Sequence, residues 1–260
     1  MAFPVTRHTL IQRLAQGGEG GDWHDFLCDY WGVVCRYAKS TGQLSFEDSE
    51  DVASEVFEVI LHAKLLQRWS ESRTAKLRTL ICSVVRNVLS NRSRVAQGRE
   101  RIVREHLGQL DRYQNSSPSD PENLSAEQID AFSAAWAESL VHTAIENLFT
   151  EYRNTRKADY FRVLYGRLCE GSSMTDIASS LRIPVSSADN FFRHARGRLT
   201  ERLEELVRSH VCRYCAPEDV PEEFALEWNR LKDCLQRFGG LEKAIRSIYC
   251  SDQPTFQYQW

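Results

Sequence analysis

A chain of 260 residues with 42% hydrophobic residues can bury one or two modest cores, and its formal net charge of −3 marks neither a bulk polycation nor an acidic disordered chain. The charge is unevenly distributed: Arg68–Glu105 holds 10 Lys/Arg against 3 Asp/Glu, Arg153–Arg202 holds 10 against 5, and the rest is strongly acidic. Phosphate attraction reaches little beyond a Debye length of about 8 Å, so two basic islands in an acidic chain point to nucleic acid contacted at two separate places.

Residues 1–21 form an N-terminal segment. Its Gly17-Gly18-Glu19-Gly20-Gly21 run has no strand before it and is read as a connection rather than a phosphate loop. Trp23, Phe26, Leu27, Tyr30, Val34 and Tyr37 then repeat at helical spacing and open a helical domain expected over residues 22–106. In its second helix Val52, Val56, Val59, Ile60 and Ala63 share one face, and Asp51, Glu55, Glu58 and His62 line the other. A carboxylate row is either a solvated face, with Asp48 and Asp51 favoured near a helix N-terminus, or a surface for a basic partner. A third stripe, Leu77, Leu80, Ile81, Val84, Val85, Val88 and Leu89, leaves Lys76, Thr79, Ser83, Arg86, Ser90 and Arg94 on its far side. That helix is basic where the previous one is acidic.

Residues 107–128 read as a polar linker with Pro118 and Pro121 and no periodicity. Phe132, Trp136, Leu140, Ala144 and Leu148 are expected to start a second helical domain over residues 129–210. Within it Ser-x-x-Asp occurs at Ser173/Asp176 and at Ser186/Asp189, each before an apolar run of helical period, which predicts two capping boxes. Met174, Ile177, Ala178 and Leu181 form the first stripe; Ala188, Phe192, Ala195, Leu199 and Leu203 form the second. Pro184 bars the first helix from continuing, and two helices across so short a turn must cross sharply, which predicts a helix-turn-helix. The second helix then presents Ser186, Asp189, Asn190, Arg193, Arg196 and Gly197, with His194 and Arg198 flanking; its Asn, Arg and Ser side chains are able to meet base edges and phosphates. On an arbitrary helix those arginines read first as a solvated basic face; the preceding helix and tight turn reverse that preference in favour of DNA.

Residues 211–260 form a C-terminal extension. Trp228, Leu231, Leu235 and Phe238 mark a helix after Pro221, Gly239-Gly240 a stop, and Leu241–Tyr249 a second short helix, with packing on the second domain as the expected fate of the apolar stripe. The fold class is therefore all-α: two small helical domains, a linker and a helical extension. Of eight cysteines, Cys28, Cys35, Cys82 and Cys169 lie on or near apolar faces and read as small hydrophobes. His210-Val-Cys212-Arg-Tyr-Cys215 carries half a zinc site that His210, Cys234 or Cys250 could complete; no second C-x-x-C follows, so no metal and no cofactor are expected. No signal peptide or membrane-length apolar run appears, which points to the cytoplasm and away from a membrane. Without a His-Glu-x-x-His or a nucleophile elbow, no enzyme activity is expected.

DSEDVASEVF (Asp48–Phe57), KLRTLICSVVRNVLSNRSR from Lys76, and EGSSMTDIASSLRIPVSSADNFFRHARGRL from Glu170, in this order, resemble the bacterial sigma factors, and within them the two-domain extracytoplasmic-function type. The likeness covers roughly residues 22–101 and 131–209. It implies a region-2-like domain that binds core RNA polymerase through Asp51, Ser54, Glu55 and Glu58 and opens the minus-ten promoter element with Arg73, Lys76, Arg78, Arg86, Asn87 and Asn91. It also implies a region-4-like domain that reads the minus-thirty-five element with Ser186, Ser187, Asn190, Arg193, His194, Arg196 and Arg198. Promoter DNA and an anti-sigma factor are the further partners the resemblance brings in. Relatives usually carry an aromatic at the position of Leu80, frequently Gly at that of Arg182, and commonly basic residues at those of Asp189 and Phe191. The alternatives are a sigma-like helix-turn-helix regulator or interaction module without promoter-melting activity, and a dimeric helix-turn-helix regulator.

Overall fold

The computed structural model describes residues 10–62, 65–72, 77–97 and 124–251; their regular elements are all helices, with no strand among them. Two compact units divide the chain, Met1–Trp136 and Ala137–Trp260.

In the first unit α1 (Leu10–Ala15), α2 (Gly20–Gly42), α3 (Phe46–His62), α4 (Leu65–Ser72) and α5 (Leu77–Gln97) pack around α3, which touches α2, α4 and α5. A reciprocal capping box between Glu19 and Asp22 starts α2, and Gln43, in the left-handed region at φ 51°, ends it. Ser45 starts α3: its Oγ accepts the Asp48 N–H at 3.1 Å and donates to the Asp48 carboxylate at 2.7 Å. The apolar stripes meet in a core of Phe26, Tyr30, Val34, Tyr37, Val52, Val56, Ile60, Ile81 and Val85. Phe57 sits edge-on to Phe26 and stacked on Trp31, both with centroids 5.8 Å away; such pairs contribute about 0.5–1.5 kcal/mol beyond area burial.

Three expectations change here. Ser83 is not on the polar side of α5: it is buried, and its hydroxyl donates to the Leu80 carbonyl at 2.7 Å, which satisfies it without a partner from another helix. Cys28 is exposed on α2 rather than apolar-facing, with its Sγ 3.5 Å from His24 Nε2. Phe132 and Trp136, expected to open the second domain, belong to the first unit. They lie on α6 (Ala126–Asn154), started by a Ser125/Gln128 capping box inside the expected linker. Phe132 packs edge-on to Tyr37 at 5.2 Å, and Cys82 donates to the Gln128 carbonyl at 3.8 Å and to the Tyr37 hydroxyl at 3.5 Å.

The second unit holds the rest of α6 with α7 (Ala158–Leu168), α8 (Met174–Leu181), α9 (Val185–Tyr214), α10 (Val220–Arg237) and α11 (Leu241–Ser251). Helix α9 is its axis and touches α7, α8 and α10. The extension packs on this unit: α10 lies on α9, and α11 lies on α7 and α10. Arg246 Nε donates to the Leu168 carbonyl at 3.1 Å, and Tyr249 stacks on His142 at 5.9 Å. No helix among the described residues is long and apolar enough to cross a membrane.

Candidate nucleic-acid interface

Helices α8 and α9 are joined by a tight reversal whose parts can be named. Ser173 Oγ accepts the Asp176 N–H at 3.1 Å and donates to the Asp176 carboxylate at 2.6 Å, which starts α8. Arg182 ends it in the left-handed region at φ 56°, with its N–H on the Ser179 carbonyl at 3.2 Å and the Ile183 N–H on the Ala178 carbonyl at 3.0 Å. That is the Schellman pattern, completed by the packing of Ile183 on the cluster of Val163, Ile177, Ala178 and Ala188. Gly166 of α7 lets α8 approach: a Cβ there would stand 3.3 Å from the Ile177 side chain.

The second expected capping box does not form. Helix α9 starts at Val185 with Pro184 as N-cap and no side-chain cap, so Ser186 lies in the first turn and is exposed. The stripe of Ala188, Ala195, Leu199 and Leu203 is buried, and Phe192 packs partly on the α8 core. Opposite it, Ser186, Asn190, Arg193, His194 and Arg196 are exposed and Ser187 is half-buried. Arg193 Nη2 donates to Asn190 Oδ1 at 3.1 Å, and Arg196 stands 3.8 Å from the Glu242 carboxylate of α11 with both side chains more than half exposed.

Arg198 leaves this face. It binds Glu151 of α6 at 3.0 Å, Glu201 at 2.8 Å and Glu205 at 3.3 Å; Arg202 shares Glu151 and binds Glu205 at 2.6 Å. Burial pushes the Glu151 carboxyl up, but the two guanidinium groups outweigh it and hold that carboxyl below its ordinary range. The hydrogen bonds that Arg198 donates to Glu151 and Glu201 in turn raise its guanidinium above its ordinary value. Sequence periodicity could not show this, because Glu151 lies 47 residues away. Phe191, one of the unusual positions of α9, stacks on Tyr160 of α7 at 4.1 Å and so pads the flank of the unit. His194 stands edge-on to Tyr160 at 5.1 Å and stacked on Tyr152 at 6.3 Å; burial pushes the Tyr152 hydroxyl up to about 12.

On α3 the structure leaves Asp51, Ser54 and Glu58 exposed in one row, with His62 4.0 Å from Glu58. Glu55 is turned to α5, where it accepts from Arg92 Nε at 2.8 Å. On α5 the guanidinium of Arg78 lies 3.9 Å over the Trp136 ring, Arg86, Asn87 and Asn91 are half-buried, and Leu80 is in the core. Arg73 and Lys76 lie outside the described residues. His210 is buried against the Tyr214 ring at 4.6 Å, Cys212 is exposed, and no three His, Cys, Asp or Glu side chains among the described residues come together as a metal site. Comparison with known proteins finds no matching family model, no matching curated protein and no matching solved structure.

Proposed function

We propose that this protein is a sigma-type initiation factor that binds core RNA polymerase through α3 and recognises promoter DNA with α9. The observation that carries the reading is the capped, sharply reversed α8–α9 pair with Ser186, Asn190, Arg193 and Arg196 left exposed on one side of the second helix. Asn and Arg suit adenine and guanine edges in the major groove, and Ser suits a phosphate. The exposed row Asp51, Ser54 and Glu58 on α3 supports a docking surface of opposite sign, suited to a basic partner. Its test is complex formation with bacterial core RNA polymerase, comparing the unaltered protein with Asp51→Arg/Glu58→Arg; Glu55 is spared because its reversal would break the bond to Arg92. Binding lost in the double variant supports the reading, and no binding by the unaltered protein overturns it. A second reading, a sigma-like regulator that does not open DNA, is favoured by Leu80 being in the core and by Arg78 lying on Trp136. It expects polymerase binding without promoter-dependent strand opening.

A further inference from the structure

The end of α6 and the turn into α7 carry Arg153-Asn154-Thr155-Arg156-Lys157, five consecutive exposed residues with three cations. The neighbouring carboxylates are engaged elsewhere: Glu151 with Arg198 and Arg202, and Asp159 with Arg162 at 3.6 Å. Both ends of the loop are tied to the DNA-facing flank of α9. Tyr152, immediately before it, stacks on His194 at 6.3 Å; Tyr160, just after it, stands edge-on to the same imidazole at 5.1 Å and stacks on Phe191 at 4.1 Å. Lys157 Nζ lies 5.7 Å from the Tyr160 ring centroid, so its charge sits on the same aromatic stack. Tyr152 is fully buried, which anchors the start of the loop in the core of the unit.

We infer that Arg153, Arg156 and Lys157 form a phosphate-binding strip beside the recognition helix, its ligand being the backbone of the duplex whose groove α9 enters. This rests on the DNA-reading role of α9 and adds a contact that carries no sequence information: base-facing groups on α9 specify, and the loop positions. Arg193 and Arg196 are the exposed cations of α9 itself, the latter 3.8 Å from Glu242. A row of cations on two elements spans more of the curved backbone than one helix face and raises the number of counterions released on binding.

Titration of the full chain against mixed-sequence duplex DNA over a range of salt tests this, with Arg153→Gln/Arg156→Gln/Lys157→Gln, the single variant Lys157→Glu, and Arg193→Gln as a reference on α9. The triple variant should bind less tightly by the same factor on unrelated sequences, with the slope of log K against log salt reduced by roughly 2 to 3. Lys157→Glu should move both quantities in the same direction while the thermal midpoint stays put, which separates the effect from misfolding. An unchanged slope in the triple variant, alongside a reduced slope in Arg193→Gln, overturns the loop's role and leaves α9 as the interface. No duplex binding by the unaltered protein overturns both.

Discussion

Helices α5 and α9 are both basic by composition, yet they dispose of their arginines differently. On α9 Arg193 and Arg196 stand exposed, whereas on α5 Arg78 lies on Trp136, Arg92 on Glu55, Arg86 is half-buried, and Arg94 in the last turn is the exposed one. The facing element decides. Helix α8 meets α9 with Met174, Ile177 and Leu181, which take no cation, while α3 and the first part of α6 offer α5 a carboxylate and an indole. The same switch happens within α9 over two residues: Arg196 is exposed and Arg198 is bound, because Glu151 projects beside the latter. A local count of Lys and Arg thus overstates the cations available to phosphate.

The strongest way to break the contrast is to remove the platform under Arg78. Trp136 is 1% exposed, so Trp136→Ala deletes a large buried ring as well as the cation–π contact. A loss of about 3–5 kcal/mol in unfolding free energy is expected, read from the urea midpoint at constant slope. A loss well below 1 kcal/mol would show that Trp136 does not anchor α5.

Next in size is Glu151→Gln, which leaves Arg198 and Arg202 with Glu201 and Glu205 alone. Removing one member of a fully buried pair costs about 3–5 kcal/mol. Glu151 and Arg198 are each about a quarter exposed and the other carboxylates remain, so on the order of 1–2 kcal/mol is expected. The pH dependence has a fixed sign. The folded carboxyl lies below its unfolded value, so its stabilisation is complete above the ordinary glutamate pKa of about 4.3 and is lost as pH falls through the folded value. Thermal midpoints of the unaltered protein and Glu151→Gln should therefore differ at neutral pH and converge in acid. A gap that stays constant down to the acid limb would remove Glu151 from the network.

Much of this was legible before any coordinates. Stripes such as Val52/Val56/Ile60 and Ala188/Ala195/Leu199 are local and periodic, and both end up buried. The Ser173 cap and the reversal before Pro184 follow from side-chain type at fixed offsets. What could not be read is pairing across long separations: Glu151 with Arg198, Glu55 with Arg92, and the pull of Phe132 and Trp136 into the first unit. The failed cap at Ser186 has a local cause, since Pro184 already supplies the extended backbone that an N-cap needs and moves the helix start two residues earlier. The Arg153-to-Lys157 run was visible as charge, but its place beside α9 depends on Tyr152, Tyr160 and His194 converging.

The smallest effect is the most discriminating for α3. Arg92 and Glu55 are each somewhat over a third exposed, so a double-mutant cycle with Arg92→Ala and Glu55→Ala should give a coupling of about 0.2–1 kcal/mol. A measurable coupling means that Glu55 spends its charge inside the unit, which leaves Asp51, Ser54 and Glu58 as the residues of the proposed docking face. A coupling of zero would mean that solvent already separates the pair. Glu55 would then join the outer row, and Glu55→Arg should weaken polymerase binding as much as Asp51→Arg does. The two measurements must agree, because one carboxylate cannot be held by Arg92 and offered in full to a partner.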